Sequence, residues 1–226
     1  EAMRIELANR ADIGADLAAA EAARAAGRSR LIEAARNLSR ARKEAAAVLE
    51  RAVEDELATL RMGEVRFRVH FQDGGAGPEG PVLNARGMDG AEFHLSTNVG
   101  EDLKPLHRIA SGGELSRIVL ALKKVLARTG SVATIVFDEV DSGIGGATAE
   151  VVGEKLRDVA RHHQVLCITH LPQIACFGDR HYRVAKAVLG ERTTSTVAPL
   201  SEAERLDEIA RMLGGVDVTE RTRDHA

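Results

Sequence analysis

The chain has 226 residues, 44% of them apolar, 29% charged and only 3% aromatic, with no tryptophan. A formal net charge of −3 leaves no overall basic excess of the kind that marks nucleic-acid binding, so composition alone argues for no such partner. Two cysteines, Cys167 and Cys176, are too few for a disulfide framework or a four-cysteine zinc site, and no apolar run reaches the ~20 residues of a membrane span.

The length accommodates one domain of roughly 150 residues and an appendage. The appendage is residues 1–62, which hold 19 Ala, no Pro, and 11 basic against 11 acidic residues, a strongly helical composition. A heptad runs from Ile13, with one seam position reading Ile13, Ala20, Gly27, Ala34, Ala41, Val48 and the other Leu17, Arg24, Leu31, Leu38, Ala45. Arg24 and Gly27 spoil its middle and predict a break or bend near residues 24–29. After Val48 the stripe slips to Leu49, Val53, Leu57 and Leu60, a shift of the stutter kind. This pattern reads as one arm of a coiled coil whose partner helix lies elsewhere, or as a long helix packed on its own globular domain. The chain opens on Glu1 inside the helical pattern, which implies a piece of a longer protein. The lack of a targeting segment is then uninformative.

From Glu64 the period changes to two, and Glu64–Phe71 alternates without error, predicting a half-buried strand. Residues 73–81 carry turn chemistry and read as a loop; Val82–Ala85 and Ala91–Thr97 are further strand candidates. A helix is expected from about Gly112 to Arg128, with Leu115, Ile118, Val119, Leu122, Val125 and Leu126 on one face and Thr129-Gly130 ending it. Strand Val132–Phe137, helix Ala147–His162 and strand Val165–Thr169 follow. Their order implies a right-handed crossover and a parallel sheet. Arg180–Lys186 and Thr193–Ala198 read as a closing hairpin. Ser201-Glu-Ala-Glu204 is a capping box opening a last helix that stops at Gly214-Gly215.

Two stretches carry chemistry. Ser111-Gly112-Gly113-Glu114 opens the first lobe helix, where glycines let backbone amides approach an anion and the helix N-terminus favours negative charge. Ser111 and Glu114 also read as a capping box whose sole duty is to start the helix. Asp138-Glu139 ends an apolar strand, a place suited to a hydrated Mg²⁺ and a water nucleophile. A phosphate-cradling loop would contain Gly-Lys, and that dipeptide occurs nowhere in the sequence.

Gly112-Gly-Glu-Leu-Ser-Arg117, Phe137-Asp-Glu-Val-Asp-Ser-Gly-Ile-Gly-Gly146 and Cys167-Ile-Thr-His-Leu-Pro-Gln-Ile-Ala175 together resemble the RecN family of bacterial SMC-like, ABC-type repair ATPases. The resemblance is specific over about 105–215 and architectural before that. It implies an α/β fold: the C-terminal lobe of an ABC/SMC-type head at 63–226, with a mostly parallel sheet, preceded by a returning coiled-coil helix at 1–62. It implies ATP and Mg²⁺ as cofactors, with Asp138 holding Mg²⁺ through water, Glu139 polarising the attacking water and His170 sensing the γ-phosphate. Ser111, Gly112, Gly113 and Glu114 match the signature loop that touches nucleotide held by an opposite head, and Asp141 matches an aspartate that meets that head. The partners implied are an N-terminal lobe carrying the phosphate loop, a second head and DNA, with no membrane, in the cytoplasm at the nucleoid. Arg117 and Gln173 recur in the resemblance without a derivable role.

The function implied is ATP-driven head engagement and hydrolysis in double-strand-break repair, by a chain unable to hydrolyse ATP without the missing lobe. The competing readings are a structural SMC-like tether and another ABC-type ATPase, such as a transporter subunit. An intact Glu139 speaks against the first, and the arm speaks against the second. The clusters Lys123-Lys124, Arg161-His-His163 and Arg180-His-Tyr-Arg183 are short, lack interleaved aromatics and read as solvated faces. Cys167, within Val165–Ile168, reads as a buried thiol of a reducing compartment.

Overall fold

The computed structural model describes residues 2–77, 80–98, 100–109, 111–126, 132–189, 192–215 and 223–224, with side chains from residue 13 onward except at 73, 76 and 187–192. It is a mixed α/β chain with a long N-terminal helix, and it divides into two compact units: Glu1–Glu50 with Arg68–Phe93, and Arg51–Phe67 with His94–Ala226.

Helix α1 (Ala2–Thr59) runs without interruption, so the break expected near residues 24–29 does not occur. The spoiled heptad positions disturb a seam rather than the helix. Gly27 stands in open space, and its cost of about 1 kcal/mol is small against so many alanines. The slip in the apolar stripe has a structural counterpart. The first stripe is open, with Ile13, Leu17, Leu31, Leu38 and Val48 exposed, whereas Val53, Leu57 and Leu60 of the second are almost fully buried.

In the first unit, α1 contributes buried Ala35, Ser39 and Ala46. Arg42 donates to Asp89 at 3.0 Å, and the Glu50 carboxylate accepts the Val69 amide at 2.8 Å. Strand β1 (Arg66–Asp73) leads to a two-stranded ribbon of β2 (Ala76–Gly77) and β3 (Gly80–Pro81), within the stretch read as a plain loop. Val82–Ala85 is not a strand. Asn84 bends the chain back, its Oδ1 accepting the Arg86 amide at 2.7 Å in an Asx turn closed by Gly87. Strand β4 (Asp89–Ser96) then joins β1 and the short β5 (Lys104–Pro105) in a sheet of order β1-β4-β5.

In the second unit, the buried side chains include Val65, Phe67, Leu95, Ile118, Leu120, Phe137, Val140, Val152 and Val159. A 3-10 turn (Leu106–Arg108) precedes α2 (Gly112–Val125); the expected terminator Thr129-Gly130 lies outside the described residues. Then come β6 (Thr134–Phe137), α3 (Ala147–Ala160), β7 (Gln164–Cys167) and the short α4 (Pro172–Ala175). Helix α3 packs on α2, α4 and β7. Strands β6 and β7 pair in parallel from Thr134–Gln164 to Phe137–Cys167, as the crossover predicts. The pairs β2–β3, β4–β5 and β8–β9 are antiparallel, because turns or short loops join them. The hairpin β8 (Tyr182–Leu189) and β9 (Arg192–Pro199) is followed by α5 (Glu202–Gly214), whose complete Ser201–Glu204 capping box and Gly215 end match the sequence reading.

Only one face of β6–β7 is covered. Ile135 and Phe137 turn inward, while Val136, Leu166 and Ile168 are 61%, 47% and 59% exposed on alternate positions. Parallel strands normally have both faces buried. Among the described residues nothing covers this one.

Candidate functional site

The carboxylates sit where β6 ends. Phe137 fixes the strand in the core, and the next two residues emerge, so Asp138 and Glu139 are both exposed. Asp138 Oδ1 accepts the Glu139 amide at 2.9 Å, and the Asp138 carbonyl accepts the Ser116 hydroxyl at 2.6 Å, tying the turn to α2. Glu139 has φ +57°, a left-handed conformation that costs a non-glycine residue of order 1–3 kcal/mol and persists only where the surroundings enforce it.

Ser111 is the N-cap of α2, its hydroxyl accepting the Glu114 amide at 3.4 Å; the reciprocal half of the expected capping box is not formed. Of the two glycines that follow, Gly113 is required by packing, and Gly112 faces the end of the Glu139 side chain. A Cβ on Gly112 would overlap the Glu139 carboxylate, and one on Gly113 would come within 2.8 Å of the Ser142 Cβ. The helix N-terminus and the strand-end carboxylates are therefore pressed together by two residues without side chains. Arg117, one turn further on, is buried and donates to the carbonyls of Val140 at 3.4 Å and Ser142 at 2.7 Å. Burial holds its guanidinium somewhat below the usual arginine range, although the Glu114 carboxylate opposes this.

Asp141 is turned inward and is only 4% exposed. Its Oδ2 accepts the Thr169 hydroxyl at 2.6 Å and the His170 amide at 2.9 Å, and His170 Nδ1 lies 3.0 Å away. With these donors on one oxygen, Oδ2 of the carboxylate is engaged within its own chain. His170 itself is largely exposed, with its ring anchored through Nδ1. Cys167 lies beneath this group. Burial first, then the charges of Asp141 and Asp138, push its thiol up to about 12. It is half-buried rather than fully buried, and Cys176 is exposed.

Among the described residues no group of three or more His, Cys, Asp or Glu side chains is placed to hold a metal ion. One exposed carboxylate at a strand end still suits Mg²⁺, which keeps most of its waters and takes one or two carboxylates together with substrate phosphates.

Comparison with known proteins gives a consistent answer over most of the chain. It is 42% identical over 189 residues to the DNA repair protein RecN of Halalkalibacterium halodurans, covering 84% of this chain and 33% of the relative. It is also 42% identical over 209 residues to RecN of Bacillus subtilis, covering 88% of this chain and 36% of the relative. The chain belongs to the RecN family. It spans about one third of the length of these curated relatives. No protein-family profile matches it. Among solved structures it is similar to the Smc head domain with a coiled coil and joint from Pyrococcus yayanosii, at 20% identity and a TM-score of 0.49, covering 71% of this chain and 28% of that one.

The expected residues Ser111, Gly112, Gly113, Asp138 and Glu139 converge at one edge, and Asp141 and His170 form a second group held to it through the 138–142 turn. Three residues that sequence reasoning did not place complete the frame: Ser116, Thr169 and Arg117. Arg117 was singled out without a role, and its partners 23 and 25 positions away supply one. Gln173 stays unassigned; its Oε1 is buried without a hydrogen-bond partner.

Proposed function

We propose that this chain supplies the C-terminal half of an SMC-like ATP-hydrolysing head acting in DNA double-strand-break repair. Residues 63–226 would form the lobe and residues 1–62 a returning coiled-coil arm. The observation that carries the reading is the packing of Gly112 on Glu139, which sets a helix N-terminus against two exposed carboxylates at the end of a strand. The uncovered apolar face of β6–β7 supports a second lobe completing the sheet, and the absence of Gly-Lys supports that lobe as the source of the phosphate loop.

In this reading Asp138 would hold Mg²⁺ through water, and the bound ion would supply charge neutralisation for the triphosphate. Glu139 orients a water for in-line attack on the γ-phosphorus and takes its proton; the bond to the β-γ bridging oxygen breaks and ADP leaves. Asp141 acts as a positioning residue, because its bond to Nδ1 leaves the other ring nitrogen of His170 facing outward toward phosphate. Ser111, Gly112, Gly113 and Glu114 contact nucleotide carried by a second head, so ATP closes the head dimer and hydrolysis opens it. DNA is the substrate on which this cycle works, in the cytoplasm.

The test is Glu139→Gln in the complete protein. Phosphate release should fall ~10²-fold or more, on the scale of a lost general base, while an ATP-dependent dimer persists in gel filtration. Near-normal turnover would remove Glu139 from this role. Steady hydrolysis by the 226-residue chain alone, abolished by Glu139→Ala, would overturn the split site.

A further inference from the structure

The even charge balance of residues 1–62 conceals a strong segregation. Residues 24–43 hold seven basic residues, Arg24, Arg28, Arg30, Arg36, Arg40, Arg42 and Lys43, against the single acid Glu33. Residues 44–57 hold five acids against Arg51. Folding then uses the acids internally. Glu50 accepts the Val69 amide, Glu54 accepts the Phe67 amide, and Glu56 is gripped by Lys124 and Lys155. The basic stretch keeps an outward excess, since only Arg42 of its last four cations pairs with a carboxylate among the described residues, at Asp89.

Arg36, Arg40 and Lys43 recur at helical spacing on one face of α1 and line a groove of 660 Å³, with Glu44 as its one carboxylate and Ala47 and Met88 also lining it. Arg40 bonds the neutral Asn37 side chain, and Lys43 stands 5.8 Å over the Phe71 ring, so neither contact sets an opposite charge against the cation. Seven residues of helix extend this row over about 10 Å.

We propose that this face is a sequence-independent docking surface for the phosphate backbone of duplex DNA. It rests on DNA being the partner, and it assigns a place to that contact. Charge complementarity selects the partner, because duplex DNA carries one charge per ~1.7 Å of axis and rewards a row of fixed cations through counterion release. Among the described residues no aromatic side chain lines the groove. That removes the stacking platform on which single-strand binders rely.

The experiment is fluorescence anisotropy of the complete protein, without nucleotide, on a labelled duplex of about 30 base pairs between about 50 and 200 mM salt. Joint Arg36→Gln, Arg40→Gln and Lys43→Gln should weaken binding at least tenfold at the low-salt end. It should also flatten the slope of log affinity against log salt by about 2.7, at about 0.9 for each phosphate no longer neutralised. Arg36→Lys with Arg40→Lys should keep the slope, which separates the removal of charge from a misfolded helix. Removing two exposed cations elsewhere, Arg161→Gln with Arg180→Gln, should leave it unchanged. An unaltered slope in the triple variant, or an equal weakening in the Arg161/Arg180 variant, overturns the assignment. So does displacement of duplex by single-stranded DNA or polyglutamate at equal charge concentration. Because no nucleotide is present, failure of the hydrolysis reading would leave this assay untouched.

Discussion

Gly112 illustrates how a motif residue can be legible while its reason is not. The sequence suggests that glycine lets an anion approach the amides of α2, and the fold adds that the Glu139 carboxylate already occupies the space a Cβ would need. Gly112→Ala should therefore push the exposed Glu139 carboxylate aside, at little cost in stability because a flexible side-chain end can give way. Hydrolysis by the complete protein should fall ~10²-fold, as small misplacements of reacting groups do. Thermal melting and phosphate release measured together check this, and wild-type turnover in the variant would show that the close approach is immaterial to chemistry. Asp141 carries a different expectation. Asp141→Ala leaves the Thr169 hydroxyl and the His170 amide without their acceptor and should cost about 3 kcal/mol in urea unfolding, since hydrogen bonds to charged groups contribute ~1.5–3 kcal/mol each. Asp141→Asn, which retains one oxygen, should cost less. That Asp141 belongs with Thr169 and His170 was invisible in sequence, because the three meet only once β6 and β7 pair.

Among the elements, those with strict periodicity or complete end signals were readable. The α5 capping box and the slip in the α1 stripe are the clearest examples. The supposed break at Gly27 failed because a disturbed seam is not a disturbed helix. The strand at Val82–Ala85 failed because the side chain of Asn84 turns the backbone before any ladder can form. Helix α1 is also tied to α2 and α3 by an ion cluster that no local pattern announces: Glu56 with Lys124 at 3.2 Å and with Lys155, and Lys124 with Asp158 at 3.3 Å. Glu56→Gln should destabilise by about 1–3 kcal/mol, less than the ~3–5 kcal/mol of a fully buried pair because these side chains keep some exposure. Its coupling to Lys155→Met in a double-mutant cycle should be large. Helix α5 supplies a pH dependence. The hydrogen bond from Arg211 holds the Glu208 carboxyl below its ordinary 4.5 despite burial. A depressed folded-state value contributes stability that is complete above about pH 4.5 and fades as pH falls through the folded value. Urea midpoints should thus decline below that pH, and Glu208→Gln should flatten the decline.

At the scale of the whole molecule, the open face of β6–β7 is the feature that a sequence read alone shows least well. Both strands are simply apolar, and only pairing with helices on one side reveals that Val136, Leu166 and Ile168 have nothing against them among the described residues. Val136→Asp with Leu166→Asp should leave the stability of this chain within about 0.5 kcal/mol per site, as for other exposed positions, while abolishing co-purification with the proposed lobe carrying the phosphate loop. Retained co-purification would place that lobe elsewhere.

The two thiols turn this into something that can be watched. With burial and the neighbouring carboxylates pushing its thiol up to about 12, Cys167 stays protonated near neutral pH, whereas Cys176 is exposed to reagent. A disulfide-forming dye should therefore modify the folded chain once quickly, and a second time only when β7 opens. That slow second event reports fluctuation of the sheet edge at the residue beneath Asp138 and Asp141. Under the proposed split head its rate should drop when a second lobe docks, giving a chemical clock for that assembly that needs neither nucleotide nor an engineered label.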